Sequence, residues 1–269
     1  MNRILFEKSE IDGDVAVFDD FRAEHVRNIL KAGVGDTLKT GEVDGKIGHG
    51  TILAMEGSRI TIQLEHDEES LQPWCDLVLA PPRPRVMKRL LPQLASMGVG
   101  RIFLVGARKV EKDFWGATLL KEENLRSLFI DGLMQAGTSI LPRVEIRRNM
   151  RKFLAEELES VYLESTAERI IAHPYAAGED ACNGASVYNK ERARTCVYNK
   201  ECAREGAGDA ASRVLLAVGP EGGWTEEEVA LFESHGFRRY SLGKRILRTD
   251  TALIALLATF YLPPMTAST

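Results

Sequence analysis

Short apolar runs alternate with longer segments of helical periodicity from residue 75 onward. The runs include "CDLVLAP", "RIFLVGA", "ERIIAHP" and "RVLLAVGP". Strands that are apolar along their whole length are buried on both faces, which is typical of parallel sheets covered by helices. The alternation therefore predicts an α/β fold with a largely parallel sheet. Ligands of such sheets bind beyond the carboxyl ends of the strands, so the loops after Ala172, Val218 and Leu242 are candidate binding loops.

The first 70 residues follow a different pattern. Segments such as "DVAVF" and "SRITIQLEH" alternate apolar and polar residues between turns rich in Gly and Asp, which is typical of short strands. A single helical segment, "RAEHVRNIL", lies among them. We therefore predict a small β-barrel over residues 1–72 and an α/β domain over residues 73–269, because 269 residues suffice for two domains.

Composition indicates a folded protein with an ordinary core, since 44% of the residues are hydrophobic and 28% are charged. The sequence contains no apolar run of the roughly 18 residues that a membrane span needs, and its beginning does not resemble a signal peptide. The four cysteines form no CxxC pair. We predict a cytoplasmic protein without a membrane partner and without a bound metal.

Charge is distributed unevenly along the chain. Residues 1–70 contain 8 Lys and Arg against 15 Asp and Glu, whereas residues 83–112 contain eight Lys and Arg against one Glu. A polyanion such as RNA would meet the basic segment, although a solvated helix face gives the same pattern. The candidate RNA-binding residues are Arg83, Arg85, Lys88 and Arg108.

A tandem near-repeat interrupts the α/β pattern. The segment "VYNKERARTC" at 187–196 is followed directly by "VYNKECAREG" at 197–206. Two copies are too few for a solenoid. We interpret residues near 176–212 as a surface insertion between two strands. A duplication without function is the simpler interpretation, and RNA contact through its Arg and Lys residues is the alternative.

The segment "LLAVGPEGGWTEEEV" predicts a strand, a glycine-rich loop and a helix. Thr225 and Glu228 have the spacing of a capping box at the start of that helix. Acidic residues crowd the loop and no Lys follows, so a phosphate would meet like charge. The loop favours a ligand without phosphate, such as the cationic S-adenosylmethionine. A tight turn before a well-capped helix is the alternative.

A second loop lies in "YSLGKRILRTDTALIALLATFY". The segment predicts a strand, a basic loop and a helix that is apolar nearly all round over 252–262. Such a helix is buried on most sides, inside the domain or in a dimer interface. Arg248 precedes that helix and follows a glycine loop. In combination with the first loop, Arg248 becomes a candidate active-site cation.

The two motifs "GPEGGWTEEEV" and "SLGKRILRTDTA" together resemble the paired C-terminal motifs of the bacterial 16S ribosomal RNA uridine-N3 methyltransferase family, which belongs to the SPOUT class. Further similarity is found in "EHVRNILKAGVGD", in "MGV" at 97–99, at Arg108 and in "AHP" at 172–174. The resemblance covers nearly the whole chain except the insertion.

The resemblance implies a PUA-like, RNA-binding β-barrel over 1–72 and a methyltransferase domain with a deep trefoil knot over 73–269. It implies S-adenosylmethionine as cofactor, 16S ribosomal RNA or the small ribosomal subunit as partner, and a homodimer. Arg248 would stabilise the uracil anion, with Asp250, Glu221 or water as the base. The implied cofactor-binding residues are His173, Pro174, Gly219, Pro220, Glu221, Gly223, Leu242, Gly243, Ile246, Leu247 and Thr249.

The sequence departs from the family pattern at several positions. Gln93 and Ser96 stand where the family often has Lys and Glu, Thr138 where it often has Arg, and Asp250 where it has Glu. These departures leave two alternatives open. The chain could methylate another RNA position, or it could be a catalytically weak module that binds RNA and S-adenosylmethionine.

Overall fold

The structure is a computed structural model that describes residues 2–162, 167–174 and 213–261. The predicted insertion near 176–212, with its tandem repeat, lies outside the described residues. The chain separates into two compact units. The first comprises Met1–Pro73, Lys88–Gly100 and Thr118–Pro142, and the second comprises the described residues of Trp74–Met87, Arg101–Ala117 and Arg143–Thr269. The predicted division at residues 72 and 73 stays a prediction.

The first unit contains a six-stranded sheet in the order β1-β4-β5-β6-β3-β2. β1 pairs with β4 in parallel, and the other pairs are antiparallel. Side chains along β5 and β6 alternate between buried and accessible, as their sequence pattern predicts. The strands are β1 (Ile4–Phe6), β2 (Ile11–Asp12), β3 (Val15–Phe18), β4 (Thr37–Glu42), β5 (Ile47–Glu56) and β6 (Arg59–Glu68).

The first unit also contains helices. α1 covers Phe21–His25 and continues as a π-helical turn over Val26–Leu30. α2 covers Pro84–Ser96 and contains Pro92, and its residues from Lys88 onward belong to this unit. α3 covers Glu122–Ala136. A Cβ atom added at Gly132 would lie 2.0 Å from the carbonyl oxygen of Pro92. Only a glycine therefore permits this close packing of α3 on α2.

The second sheet has the order β12-β10-β11-β7-β8-β9. The pairs β12–β10, β10–β11, β11–β7 and β8–β9 are parallel, which confirms the predicted α/β class with a largely parallel sheet. The sequence did not predict β9, an edge strand in which charged and apolar residues alternate. The strands are β7 (Cys75–Leu79), β8 (Val99–Val105), β9 (Arg143–Arg147), β10 (Ala167–Ala172), β11 (Arg213–Val218) and β12 (Arg238–Tyr240).

The helices of the second unit cover its sheet. The buried core between the helices and the sheet includes Phe103, Phe153, Leu215 and Phe232. Within the described residues, no helix is both long and apolar enough to cross a membrane. The helical segments after β9 are α4 (Met150–Lys152), a π-helical turn (Phe153–Glu157), α5 (Leu158–Val161), α6 (Glu226–Ser234) and α7 (Thr249–Tyr261).

Candidate functional site

Three candidate loops meet at one edge of the second sheet. β12, β10 and β11 are adjacent and parallel, so their carboxyl ends share an edge. The loops that follow them begin at His173, Gly219 and Ser241. The backbone amide of His173 donates to the carbonyl of Tyr240 at 3.0 Å, which joins two of these loops directly. β12 ends at Tyr240, two residues earlier than the sequence predicts.

The loop after β11 is a tight turn. The amide of Gly223 donates to the carbonyl of Pro220 at 2.8 Å, and Gly223 has a φ of +67°. A Cβ atom added at Gly219 would lie 3.0 Å from the backbone nitrogen of Trp224. Trp224 is buried and packs against Phe232 of α6. The turn itself therefore favours glycine at these positions, and the buried indole of Trp224 holds the end of the turn in place.

A capping box begins α6, as the sequence predicts. The amide of Glu228 donates to the Thr225 hydroxyl at 3.3 Å, and the amide of Thr225 donates to Glu228 Oε2 at 2.8 Å. The other carboxylate oxygen, Oε1, accepts from the amide of Arg108 at 2.8 Å. Only 8% of Glu228 is exposed. This carboxylate therefore connects the start of α6 to the loop that follows β8.

Glu226 connects α6 to two further segments. Its carboxylate lies 3.0 Å from Nε2 of His173 and accepts from Nη2 of Arg239 at 3.4 Å. The hydrogen bond with His173 lowers the pKa of Glu226 below its usual value, and the nearby charge of Arg239 lowers it further. The carboxylate is thus held ionised between the carboxyl ends of β10 and β12.

The two other acidic residues of this segment also have partners. The amide of Arg83 donates to Glu221 Oε1 at 2.9 Å, and Arg108 Nη1 lies 3.8 Å from Glu227 Oε2. Lys109 Nζ donates to the carbonyl of Gly222 at 2.7 Å. The acidic residues therefore join the loop to β12 and to the segments after β7, β8 and β10. This explains why a glycine loop in this position carries so much negative charge.

The loop after β12 is far more accessible. Gly243 has a φ of +117°, and its amide donates to the Ser241 hydroxyl at 3.2 Å. Ile246 is 91% exposed, and Leu242 and Leu247 are also exposed. Three accessible apolar side chains in one short loop provide a surface on which a flat aromatic ring can pack.

Arg248 ends this loop with an accessible guanidinium. Its side chain is 76% exposed, and Nε lies 3.8 Å from Asp250 Oδ1. Thr249, the first residue of α7, is buried. The residues predicted to bind the cofactor therefore belong to three neighbouring loops and the start of α7. Pro220 is buried, whereas Pro174 and Glu221 are exposed.

The residues predicted to bind RNA differ in their surroundings. Arg83 Nε donates to Glu111 at 3.0 Å, and Arg108 faces Glu227. Arg85 and Lys88 are exposed on α2. Within the described ranges, no three His, Cys, Asp or Glu residues form a group that could hold a metal ion.

Two features of the site were missed from sequence. One is the contact between His173 and Glu226, which are distant in sequence and meet only because β10 and β11 are neighbours. The other is a pair of arginines, Arg148 and Arg151, directly after β9. The run "RRNMR" at the end of an alternating segment was the signal that could have identified them.

Comparison with known proteins defines the class. A sequence profile described as an RNA methyltransferase domain matches residues 69–261. The chain is therefore an RNA methyltransferase by family. More specifically, it belongs to the family of ribosomal RNA small subunit methyltransferase E, which confirms the family predicted from the two C-terminal motifs.

Relatives match along almost the whole chain. Ribosomal RNA small subunit methyltransferase E of Treponema pallidum is 32% identical, over 96% of this chain and 90% of that protein. Ribosomal RNA small subunit methyltransferase E 1 of Borreliella burgdorferi is 25% identical, over 95% of both chains. A crystal structure of ribosomal RNA small subunit methyltransferase E from Neisseria gonorrhoeae, bound to S-adenosyl methionine, has the same fold. Its TM-score is 0.64 at 22% identity, over 97% of this chain and 96% of that one.

Proposed function

We propose that this chain methylates N3 of a uridine in 16S ribosomal RNA, with S-adenosylmethionine as methyl donor. Membership of the family carries the proposal, because a relative named for the small-subunit ribosomal RNA is 32% identical over 96% of the chain. The N3 position comes from the resemblance of "GPEGGWTEEEV" and "SLGKRILRTDTA" to the motifs of the uridine-N3 enzymes.

The residues of the three loops fit S-adenosylmethionine. Leu242, Ile246 and Leu247 offer accessible apolar surface for the adenine, and the turn at Gly219 leaves its backbone free of side chains. The acidic residues nearby are already paired within the protein, and the glycine loop lacks the Lys that follows it in a phosphate-binding loop, which favours a ligand without phosphate. We propose that the loops at 173–174, 219–223 and 242–249 hold the cofactor. When bound, it supplies an electrophilic methyl group.

Arg248 is the residue that we propose to act on the uracil. Removal of the N3 proton leaves negative charge on the two flanking carbonyl oxygens, and a guanidinium beside one of them stabilises that charge. The exposure of Arg248 makes it available to a substrate. Asp250 Oδ1 lies 3.8 Å from Nε of Arg248, so we propose Asp250 as the proton acceptor.

The finer architecture is also a proposal. We propose a PUA-like barrel over 1–72, a knotted domain over 73–269, and a homodimer through α7 in the cytoplasm. The family resemblance supports all four. The half-buried state of Ile254, Ala255 and Ala258 on α7 further supports an interface, because these apolar side chains remain partly accessible in one protomer.

RNA contact through Arg83, Arg85, Lys88 and Arg108 belongs to the same proposal. Exposure of all four side chains supports it. Phosphate contacts would orient the RNA without reading its sequence, so these residues would affect affinity more than the choice of nucleotide.

A labelling experiment tests the proposed function. The protein is incubated with S-adenosylmethionine labelled in its methyl group and with small ribosomal subunits that lack the modification. The RNA is then digested, and the labelled nucleoside is identified. We expect the label in 3-methyluridine. Label in another nucleoside would support methyltransferase activity and contradict the assignment of N3 of uridine as the target.

A different outcome would favour the alternative that the chain is a catalytically weak module that binds RNA and S-adenosylmethionine. If the protein binds S-adenosylmethionine but transfers no label to a competent substrate, catalysis is lost. The departures at Gln93, Ser96 and Thr138 would then be the first positions to restore. Ser96 donates its hydroxyl to the Gln93 carbonyl at 2.8 Å, within its own helix. A Ser96→Glu substitution would remove that bond and restore the residue that the family often has.

A further inference from the structure

Three arginines line a cleft at the carboxyl ends of β8 and β9. Arg108 follows β8, and Arg148 and Arg151 follow β9. The cleft has a volume of about 460 Å³ and opens to solvent. Thr225, Glu227 and Glu228, at the start of α6, also line the cleft. The cleft therefore adjoins the glycine loop at 219–223.

Backbone contacts hold the two arginine-bearing loops together. The amide of Gly106 donates to the carbonyl of Arg148 at 3.2 Å. A Cβ atom added at Gly106 would lie only 2.3 Å from that carbonyl oxygen, so a larger residue would separate the loops. The Asn149 side chain accepts from the amide of Lys152 at 3.1 Å, which orders the following turn. The cleft is thus built by the fold before any ligand binds.

Two of the three arginines of the cleft have no carboxylate partner among the described residues. The neighbouring Arg147 is bonded to Glu145 and Glu157, at 2.7 and 2.6 Å. By contrast, in the part of the chain that the structure describes, Arg148 and Arg151 have no carboxylate within 4 Å.

The guanidinium of Arg148 instead lies 5.4 Å from the centre of the Trp115 ring. Stacking on an aromatic ring orients a guanidinium and leaves its N–H groups available. The two carboxylates near the cleft are already engaged. Glu227 faces Arg108, and Glu228 accepts from backbone amides with both oxygens.

We propose that this cleft binds the phosphodiester backbone of the substrate RNA. The proposal rests on the proposed function and extends it by two residues, Arg148 and Arg151. Guanidinium groups bind phosphate oxygens in pairs of parallel hydrogen bonds, which suits a cluster of arginines. The position beside the start of α6 would bring a bound strand next to the candidate cofactor loops.

A double substitution, Arg148→Gln with Arg151→Gln, tests the cleft. Arg143→Gln is the matched control, because Arg143 is exposed at the opposite end of the same strand. Affinity for unmodified, protein-free 16S ribosomal RNA is measured over a range of salt concentrations. Affinity for S-adenosylmethionine and the rate of methylation of small subunits are measured beside it.

We expect the double variant to bind the RNA about tenfold more weakly, with the slope of log K against log salt reduced by about two. Affinity for S-adenosylmethionine should stay unchanged. Replacement by lysines at both positions should restore most of the affinity, since a phosphate also accepts a point charge. Arg143→Gln should resemble the wild type.

Other results would overturn the assignment. Equal RNA affinity and equal salt slope in the double variant and in Arg143→Gln would reject the cleft. A loss of affinity for the small subunit but not for protein-free RNA would indicate that the cleft binds a ribosomal protein. A wild type that binds RNA through these arginines but transfers no methyl group would reject the proposed function and leave the cleft assignment standing.

Discussion

Two loops at the same edge of the second sheet differ in how their charges are used. The acidic segment 221–228 is bonded to the segments after three other strands and to β12, and Glu228 is almost completely buried. The basic loop 241–248 keeps Ile246 and Arg248 in solvent, at 91% and 76% exposed. Side chains that are already satisfied stabilise the fold, whereas accessible ones remain available to ligands.

The two loops show that the chemical type of a residue does not by itself decide its role. Several acidic residues beside a glycine turn could be read as a ligand-binding cluster, yet the structure uses them as acceptors for backbone and side-chain donors of the protein. Four substitutions distinguish the two loops, and they follow in order of the expected size of their effect.

Arg248→Ala should lower the methylation rate about 10²- to 10³-fold, because a group that stabilises developing negative charge acts mainly in the transition state. The free energy of unfolding should hardly change, since the side chain is exposed. The rate is measured under single-turnover conditions, with Arg248→Lys as a charge-preserving control. A full rate with unchanged cofactor affinity would remove Arg248 from the reaction.

Glu228→Ala should destabilise the fold by about 2–3 kcal/mol, since it removes one half of the capping box and leaves the amides of Thr225 and Arg108 without their acceptor. Urea unfolding measures the difference. Glu227→Ala is the matched control one residue earlier, on an exposed side chain, and should stay within about 0.5 kcal/mol of the wild type. Equal effects would contradict the contrast between buried and exposed acids.

Ile246→Ser should weaken S-adenosylmethionine binding about tenfold, through loss of apolar contact with the adenine. Stability should not fall, because the side chain is already in solvent. Calorimetric titration of the cofactor gives the affinity. Ile146→Ser, at an exposed position on β9, is the control and should bind the cofactor normally. Unchanged affinity in Ile246→Ser would separate this loop from the cofactor.

Glu226→Gln should give the smallest effect and a distinctive dependence on pH. The folded-state pKa of Glu226 is lowered, first by the hydrogen bond with His173. Its contribution to stability is therefore present above the unfolded pKa of about 4.3 and is lost as the pH falls through the lower folded value. Urea unfolding of both proteins at several pH values should show their difference shrinking below about pH 4. If the difference in the free energy of unfolding persisted in acid, it would contradict a stabilising contact of ionised Glu226 with His173.

Local patterns in the sequence were sufficient for several elements. The apolar runs predicted β7, β8, β10 and β11, because a strand covered on both faces cannot contain many polar residues. The spacing of Thr225 and Glu228 predicted the capping box, since both partners lie within one helical turn. The motifs of the last two loops identified the family. Patterns of this kind are short in sequence and independent of the rest of the chain.

Contacts between distant segments required the tertiary structure. β9 is five residues long and contains three charged residues, so it lacks the continuous apolar run that predicted its neighbours in the sheet. His173 and Glu226 are separated by 53 residues, and Arg108 and Glu228 by 120. Strand order brings each pair together, and no local pattern records it.

The sequence by itself determined the α/β class, the family and the candidate loops that follow β10, β11 and β12. Those properties depend on hydrophobic periodicity and on motifs only a few residues long. The tertiary structure decided which charges remain available. It pairs the acidic residues of 221–228 with other segments and leaves Arg148 and Arg151 accessible in a cleft. Whether a side chain is satisfied depends on its spatial neighbours, and the order of strands in the sheet sets those neighbours.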